Sequence, residues 1–231
     1  MKFSANLGFL WADMPLPQAI RAAAAAGFDA VECHWPYDTP VEAVRAALAE
    51  TGLRLLGLNT RRGAPGEHGL AALPGREAEA QAATEEALAY ASATGARHIH
   101  VMAGMAEGAL AHAAFCAALR HASAAATPHG LTILIEPLNH HDAPGYFLRT
   151  TAQAATILHE LALPNLRLMF DCYHVQIMEG DLTRRLTALM PLIGHIQFAA
   201  VPDRGPPGRG EVDYAHVFAH IAALGYRGFL G

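Results

Sequence analysis

The sequence predicts a single α/β domain over residues 1–231, built as an eight-stranded (β/α) barrel, and three observations predict it. Short β-like runs alternate with longer helical runs from one end of the chain to the other. Strand starts recur at intervals of roughly 25–45 residues, the length of one βα unit. The composition, 52% hydrophobic and only 16% charged, suits strands buried on both faces beneath covering helices.

The elements follow in order. A first strand near Phe3–Leu7 leads to Asp13-Met-Pro15, a polar cap ahead of a proline that tolerates a first helical turn, and a helix near Pro15–Ala26. Gly27 ends that helix and a second strand spans Ala30–Cys33. Asp38-Thr-Pro40 repeats the cap for a helix over Pro40–Glu50, and strand three lies near Arg54–Leu58. The long loop Thr60–Pro74 precedes a helix over Arg76–Thr94, strand four over His98–Met102 and a helix over Leu110–His129. Strand five spans Thr132–Glu136, with its helix at Thr151–Leu161. Strand six spans Arg167–Phe170, with its helix at Leu182–Met190. Strand seven, His195–Phe198, is followed by the loop Ala199–Val212 and a helix over Tyr214–Leu224, and an eighth strand begins at Gly228–Leu230. The expected fold is therefore a barrel lacking the end of strand eight and its helix. An open nucleotide-binding sheet is the weaker alternative, because no G-x-G-x-x-G follows strand one and no G-x-x-x-x-G-K occurs.

Bulk properties exclude several classes. The net charge is −5 and the arginine pairs Arg61-Arg62 and Arg184-Arg185 are isolated, so phosphate-driven nucleic-acid binding is not expected. The three cysteines, Cys33, Cys116 and Cys172, are far apart without a C-x-x-C, which argues for a reducing, cytoplasmic setting. The first residues, MKFSANLGFLWADMP, do not read as a signal peptide, and no apolar run reaches membrane-spanning length. The Ala-rich helices fit a monomer or a homo-oligomer equally.

In a parallel barrel, chemistry gathers where strands end. Strand five ends in Glu136, strand six runs into Asp171 and strand seven carries Gln197. Carboxylates converging near the barrel axis repel one another and lose hydration, which a divalent cation relieves. Oxygen donors of this type suit Mg²⁺ or Mn²⁺. The bland reading of Asp171 alone is a helix cap. His174, three residues on, either reaches the same cavity or sits in a surface loop. His98 and His100 share one strand face, and a hydrogen-bonded core role suits them better than a site role. His216 and His220 have helical i,i+4 spacing without the Glu of an H-E-x-x-H motif, favouring a partly exposed face. His140-His141-Asp142 either contacts substrate or forms an ordinary turn. Strand alternation turns Cys172 away from Asp171 and into packing, and Glu32 points either into the site or to the next turn.

These residues resemble the hydroxypyruvate isomerase group within the xylose isomerase-like TIM barrels. The matching segments include Gly27-Phe-Asp-Ala-Val-Glu32, Gly69-Leu-Ala-Ala-Leu-Pro-Gly-Arg-Glu77, His100-Val-Met-Ala-Gly104 and Ile135-Glu-Pro-Leu-Asn139. Others are Asp171-Cys-Tyr-His174, Met178-Glu-Gly-Asp-Leu-Thr183, His195-Ile-Gln197, Pro202-Asp-Arg204 and the terminal Gly225-Tyr-Arg-Gly-Phe-Leu-Gly231. The resemblance implies interconversion of hydroxypyruvate and tartronate semialdehyde through a cis-enediolate; 2-oxo-tetronate isomerases share the Leu-Pro-Gly-Arg-Glu and His-Val-Met-Ala-Gly segments. It implies Glu136 as acid/base and metal ligand, Asp171 and Gln197 as further ligands, and His174 and Arg204 as holders of substrate oxygens. The family carries a second glutamate shortly after the segment that ends here at Gly231. The resemblance therefore implies weaker metal binding through three protein ligands, or a longer chain that supplies the fourth. A non-catalytic metabolite-binding barrel and an abasic-site endonuclease of the same barrel type are the competing classes.

Overall fold

The structure is a computed structural model and describes residues 1–231. Its strands are β1 Lys2–Asn6, β2 Ala30–Glu32, β3 Gly57–Asn59, β4 His98–His100, β5 Thr132–Ile135, β6 Leu166–Asp171, β7 Ile193–Gln197 and β8 Phe229–Leu230. The helices are α1 Leu16–Ala25, α2 Val41–Thr51, α3 Glu77–Thr94, α4 Gly108–Ala126, α5 Thr151–Leu161, α6 Cys172–Met178, α7 Leu182–Leu189 and α8 Tyr214–Ala223.

All strand pairs are parallel, in the order β2-β1-β8-β7-β6-β5-β4-β3. The two ends of that sheet meet: the Val31 N–H donates to the Arg54 carbonyl (2.9 Å), and the Leu56 N–H donates to the Val31 carbonyl (2.7 Å). The predicted barrel is thus present. Short β8 pairs on both sides, with β1 through Lys2/Phe229 and Phe3/Leu230 and with β7 through Ile196/Leu230.

Side-chain alternation along the strands separates two environments. Ala5, Val31, Leu58, Ile99, Ile133, Ile135, Leu168, Phe170, Ile196 and Leu230 point outward and join one continuous core beneath the helices. Helix α4 shows how a helix meets them, burying Ala111, Phe115, Leu119, Ala122 and Ala126 as a stripe of helical period. The inward positions on the same strands, among them Glu32, Asn59, His98, His100, Glu136, His195 and Gln197, line a cavity instead.

Three differences from the sequence expectation have physical causes. Strand three pairs as Gly57–Asn59 and keeps only a single bridge at Leu55, because it begins where it can match His98–His100. The segment after Asp171 turns at once into α6 instead of continuing extended, since the Asp171 carboxylate accepts from the Tyr173 N–H (2.8 Å) and caps the helix. Cys172 is accordingly the first residue of a helix; it is fully buried as expected, but strand alternation is not the reason. The loop over residues 60–74 is pinned to the end of β4: Gly69 bridges Ala103, and the Ala72 N–H donates to the Ala103 carbonyl (2.7 Å).

Candidate active site

Glu136 follows the last residue of β5 and faces the cavity. It is buried, and its carboxylate accepts no protein hydrogen bond; the His100 Nδ1 at 3.4 Å and the His174 Nε2 at 3.8 Å stand nearest. Burial first, and then the charge of Asp171, push the Glu136 carboxyl well above the usual carboxylate range. Asp171 is also raised, by burial, against the opposing pull of Arg204.

Capping fixes the next residue. One turn into α6, His174 returns over its own cap, its Nε2 lying 3.7 Å from the Asp171 Oδ2. Its Nδ1 accepts from the Asn139 backbone N–H (3.0 Å), and the Asn139 side chain approaches the same atom (2.8 Å). Asn139 Oδ1 is taken up by the N–H groups of His141 and Asp142, which settles which end of that amide is nitrogen. With Nδ1 an acceptor, the neutral ring carries its proton on Nε2, aimed at the carboxylates. Burial, reinforced by Arg204, pushes His174 down to about 3, so the ring is neutral at physiological pH.

Arg204 comes from the loop after β7, in the left-handed region at φ 53°. Its guanidinium lies over the rings of Phe9 (4.3 Å) and Tyr173 (4.8 Å). It pairs with Asp142 (2.9 Å) and approaches Asp171 (3.5 Å). Its Nη2 is 3.1 Å from the His174 Nε2. Both are donors, so two N–H groups face one space, an arrangement that an anionic oxygen would satisfy.

Gln197 pairs in register with Asp171 on the neighbouring strand. Its amide nitrogen donates to the Glu32 Oε1 (3.0 Å), while the His195 Nε2 meets the Glu32 Oε2 (2.8 Å). Glu32 thus points into the site. Burial would raise its carboxyl, but His195 and the two hydrogen bonds outweigh burial and hold it below its ordinary range.

The structure brings Glu136, Asp171 and His174 together, with one ligand-type atom of each within 4.8 Å of the others. Arg204 and Gln197 border the same cavity of about 320 Å³. The buried Glu136–Asp171 pair, both raised and one without any donor, fits a divalent cation with a preference for oxygen. Sequence reasoning passed over His195, although its two-residue spacing from Gln197 on a strand puts both on one face. The expectation of a hydrogen-bonded core role for His100 is corrected: it lines the cavity, and neither ring nitrogen has a hydrogen-bond partner in the protein. Asp142 reaches Arg204, whereas His140 and His141 pack against each other with ring centroids 4.0 Å apart. His220 bonds to Thr183 and Thr187 on α7, and His216 is exposed.

Residues 20–231 match the sequence pattern of the xylose isomerase-like TIM barrel family. The 2-oxo-tetronate isomerase of Cupriavidus necator is 42% identical over 236 residues, covering 100% of this chain and 91% of that protein. The hydroxypyruvate isomerase of Escherichia coli is 36% identical over 237 residues, covering 100% and 92%. A crystal structure from Brucella melitensis, named as an AP endonuclease of family 2, superposes with a TM-score of 0.96 at 37% identity, covering 100% and 91%. With its closed parallel barrel and its acidic site at the strand ends, the chain belongs to the xylose isomerase-like TIM barrel family.

Proposed function

We propose that the protein is an isomerase that interconverts hydroxypyruvate and tartronate semialdehyde, with Glu136 as its acid/base and a Mg²⁺ or Mn²⁺ ion held by Glu136, Asp171 and Gln197. The supporting observation is Glu136 itself: a buried carboxylate raised by its surroundings, without a donor, beside a neutral histidine and an arginine. A bound divalent cation would polarise the substrate carbonyl and so acidify the neighbouring C–H. Glu136 takes the proton from the hydroxyl-bearing carbon, leaving a cis-enediolate, and returns a proton to the adjacent carbon, while the hydroxyl proton passes to the neighbouring oxygen, so that the former alcohol carbon becomes the aldehyde and the former carbonyl carbon the alcohol. The His174 Nε2–H and the Arg204 guanidinium hold the substrate oxygens where negative charge develops.

A second reading, 2-oxo-tetronate as the substrate, is supported by the relative of that name at 42% identity. Both readings place the protein in the cytoplasm, acting on a small hydroxy or keto acid, with neither nucleic acid nor membrane as partner. The net charge of −5 speaks against phosphate-driven nucleic-acid binding, and no helix is long and apolar enough to cross a membrane.

Proton NMR in D₂O with each substrate, in Mg²⁺ and again in EDTA, tests the proposal. Metal-dependent deuterium uptake with the isomeric product, abolished by Glu136→Gln, is expected. Turnover indifferent to both EDTA and Glu136→Gln would overturn it, as would metal-loaded protein inert to both substrates.

A further inference from the structure

The outer helix layer holds a second group of ligand-type side chains, away from the barrel mouth. His112 and Cys116 stand four residues apart on α4 and share one of its faces, and Glu160 approaches that face from α5. The His112 Nε2 is 2.8 Å from the Glu160 Oε2, and the Cys116 Sγ is 3.5 Å from the same nitrogen. All three donor atoms lie within 4.8 Å of one another. We propose that His112, Cys116 and Glu160 form a site for a borderline divalent cation of the zinc type, with the fourth coordination position open to solvent.

Geometry supports the assignment. Zinc–sulfur and zinc–nitrogen bonds of about 2.3 and 2.0 Å, set at the tetrahedral angle, place sulfur and nitrogen ~3.5 Å apart. The structure has them 3.5 Å apart. The nitrogen–oxygen edge of such a site is ~3.3 Å, so Glu160 has to withdraw by roughly half an ångström. Its side chain, 43% exposed, is free to do so. The sulfur forms the floor of the cup, with Cys116 2% exposed, and the other two donors form its rim.

The donor set also differs from that of the barrel mouth. Nitrogen, thiolate and one carboxylate favour zinc over Mg²⁺. Helical spacing brings the thiol to the histidine, and Glu160 from the neighbouring helix completes the group of three donors. An ordinary cysteine thiol is protonated at neutral pH, so the metal-free site holds S–H. Ligation therefore displaces that proton to solvent as the metal–sulfur bond forms, with the imidazole binding through Nε2.

Cobalt titration of the whole protein, stripped beforehand with EDTA, tests the site, because a thiolate ligand announces itself by charge-transfer absorption in the near ultraviolet. The band is expected to saturate near one cobalt per chain, to disappear on adding Zn²⁺, and to release roughly one proton per ion. Cys116→Ser should abolish it and His112→Gln should weaken binding at least tenfold, with Mg²⁺-dependent turnover unchanged in both. In Asp171→Asn the band should persist. No band in the wild type, or a band that survives Cys116→Ser, would overturn the proposal.

Discussion

Glu136 is held above its ordinary value of 4.5 when the chain is folded. Between the unfolded and folded values the folded state therefore holds more protons, and stability in EDTA falls as pH rises above about 4.5. Glu136→Gln removes that penalty. At pH 7 in EDTA its Tm is expected to exceed that of the wild type, while turnover drops about 10²–10⁴-fold; a lower Tm would contradict the repulsion described here. His100 gives a second expectation. Burial, then His34 and His174, push it down to about 3, leaving a neutral ring with two unbonded nitrogens at the cavity. His100→Leu is expected to raise KM about tenfold, one hydrogen bond's worth, without lowering Tm. A lower Tm with unchanged KM would mean that the ring only packs. At this scale the strand-end carboxylates were legible, because position along a barrel strand dictates direction. Glu32 stayed undecided because its partner His195 lies 163 residues away, beyond any local pattern.

At the scale of elements, α6 would couple capping to the proposed ligation, since Asp171 caps the helix and is one of the proposed metal ligands. Asp171→Ala loses cap and charge together, whereas Asp171→Asn keeps a capping oxygen. Circular dichroism melts should show Ala less stable than Asn by about 1 kcal/mol, with metal-dependent activity lost in both. Seven residues are too few to show a helical period, so nothing beyond the aspartate marked α6 in advance. The loop over residues 60–74 depends on Gly69, whose φ is +121° and whose added Cβ would lie 2.3 Å from the Met102 carbonyl oxygen. Gly69→Ala is expected to destabilise by more than about 1 kcal/mol and to lower Tm by several degrees. It should also impair turnover, because His68 beside it lines the cavity; wild-type Tm would show that the loop tolerates the side chain.

For the whole molecule, the division into an apolar jacket and a lumen carrying polar side chains follows from alternation on eight parallel strands, whereas the barrel was legible from the regular succession of βα units along the chain. Strand three could not be placed to the residue, because its register is set by pairing with β4 and not by its own pattern. The Brucella relative's name raises the question of DNA directly. Duplex containing an abasic site, titrated at low salt, is expected to remain unbound and uncleaved; tight binding or strand scission would overturn the small-molecule assignment.

The bond from Gln197 to Glu32 joins β7 to β2, strands that the sheet order separates by β8 and β1. An amide has two nearly equal-sized ends, and only its oxygen can face a cation. By claiming the nitrogen, Glu32 would act as a detent on that rotor, leaving the oxygen free for the proposed ion. Substitution at residue 32 would release the amide to present either end. The affinity of the mouth for the proposed metal would thereby be adjustable from another strand, with every proposed donor atom left in place.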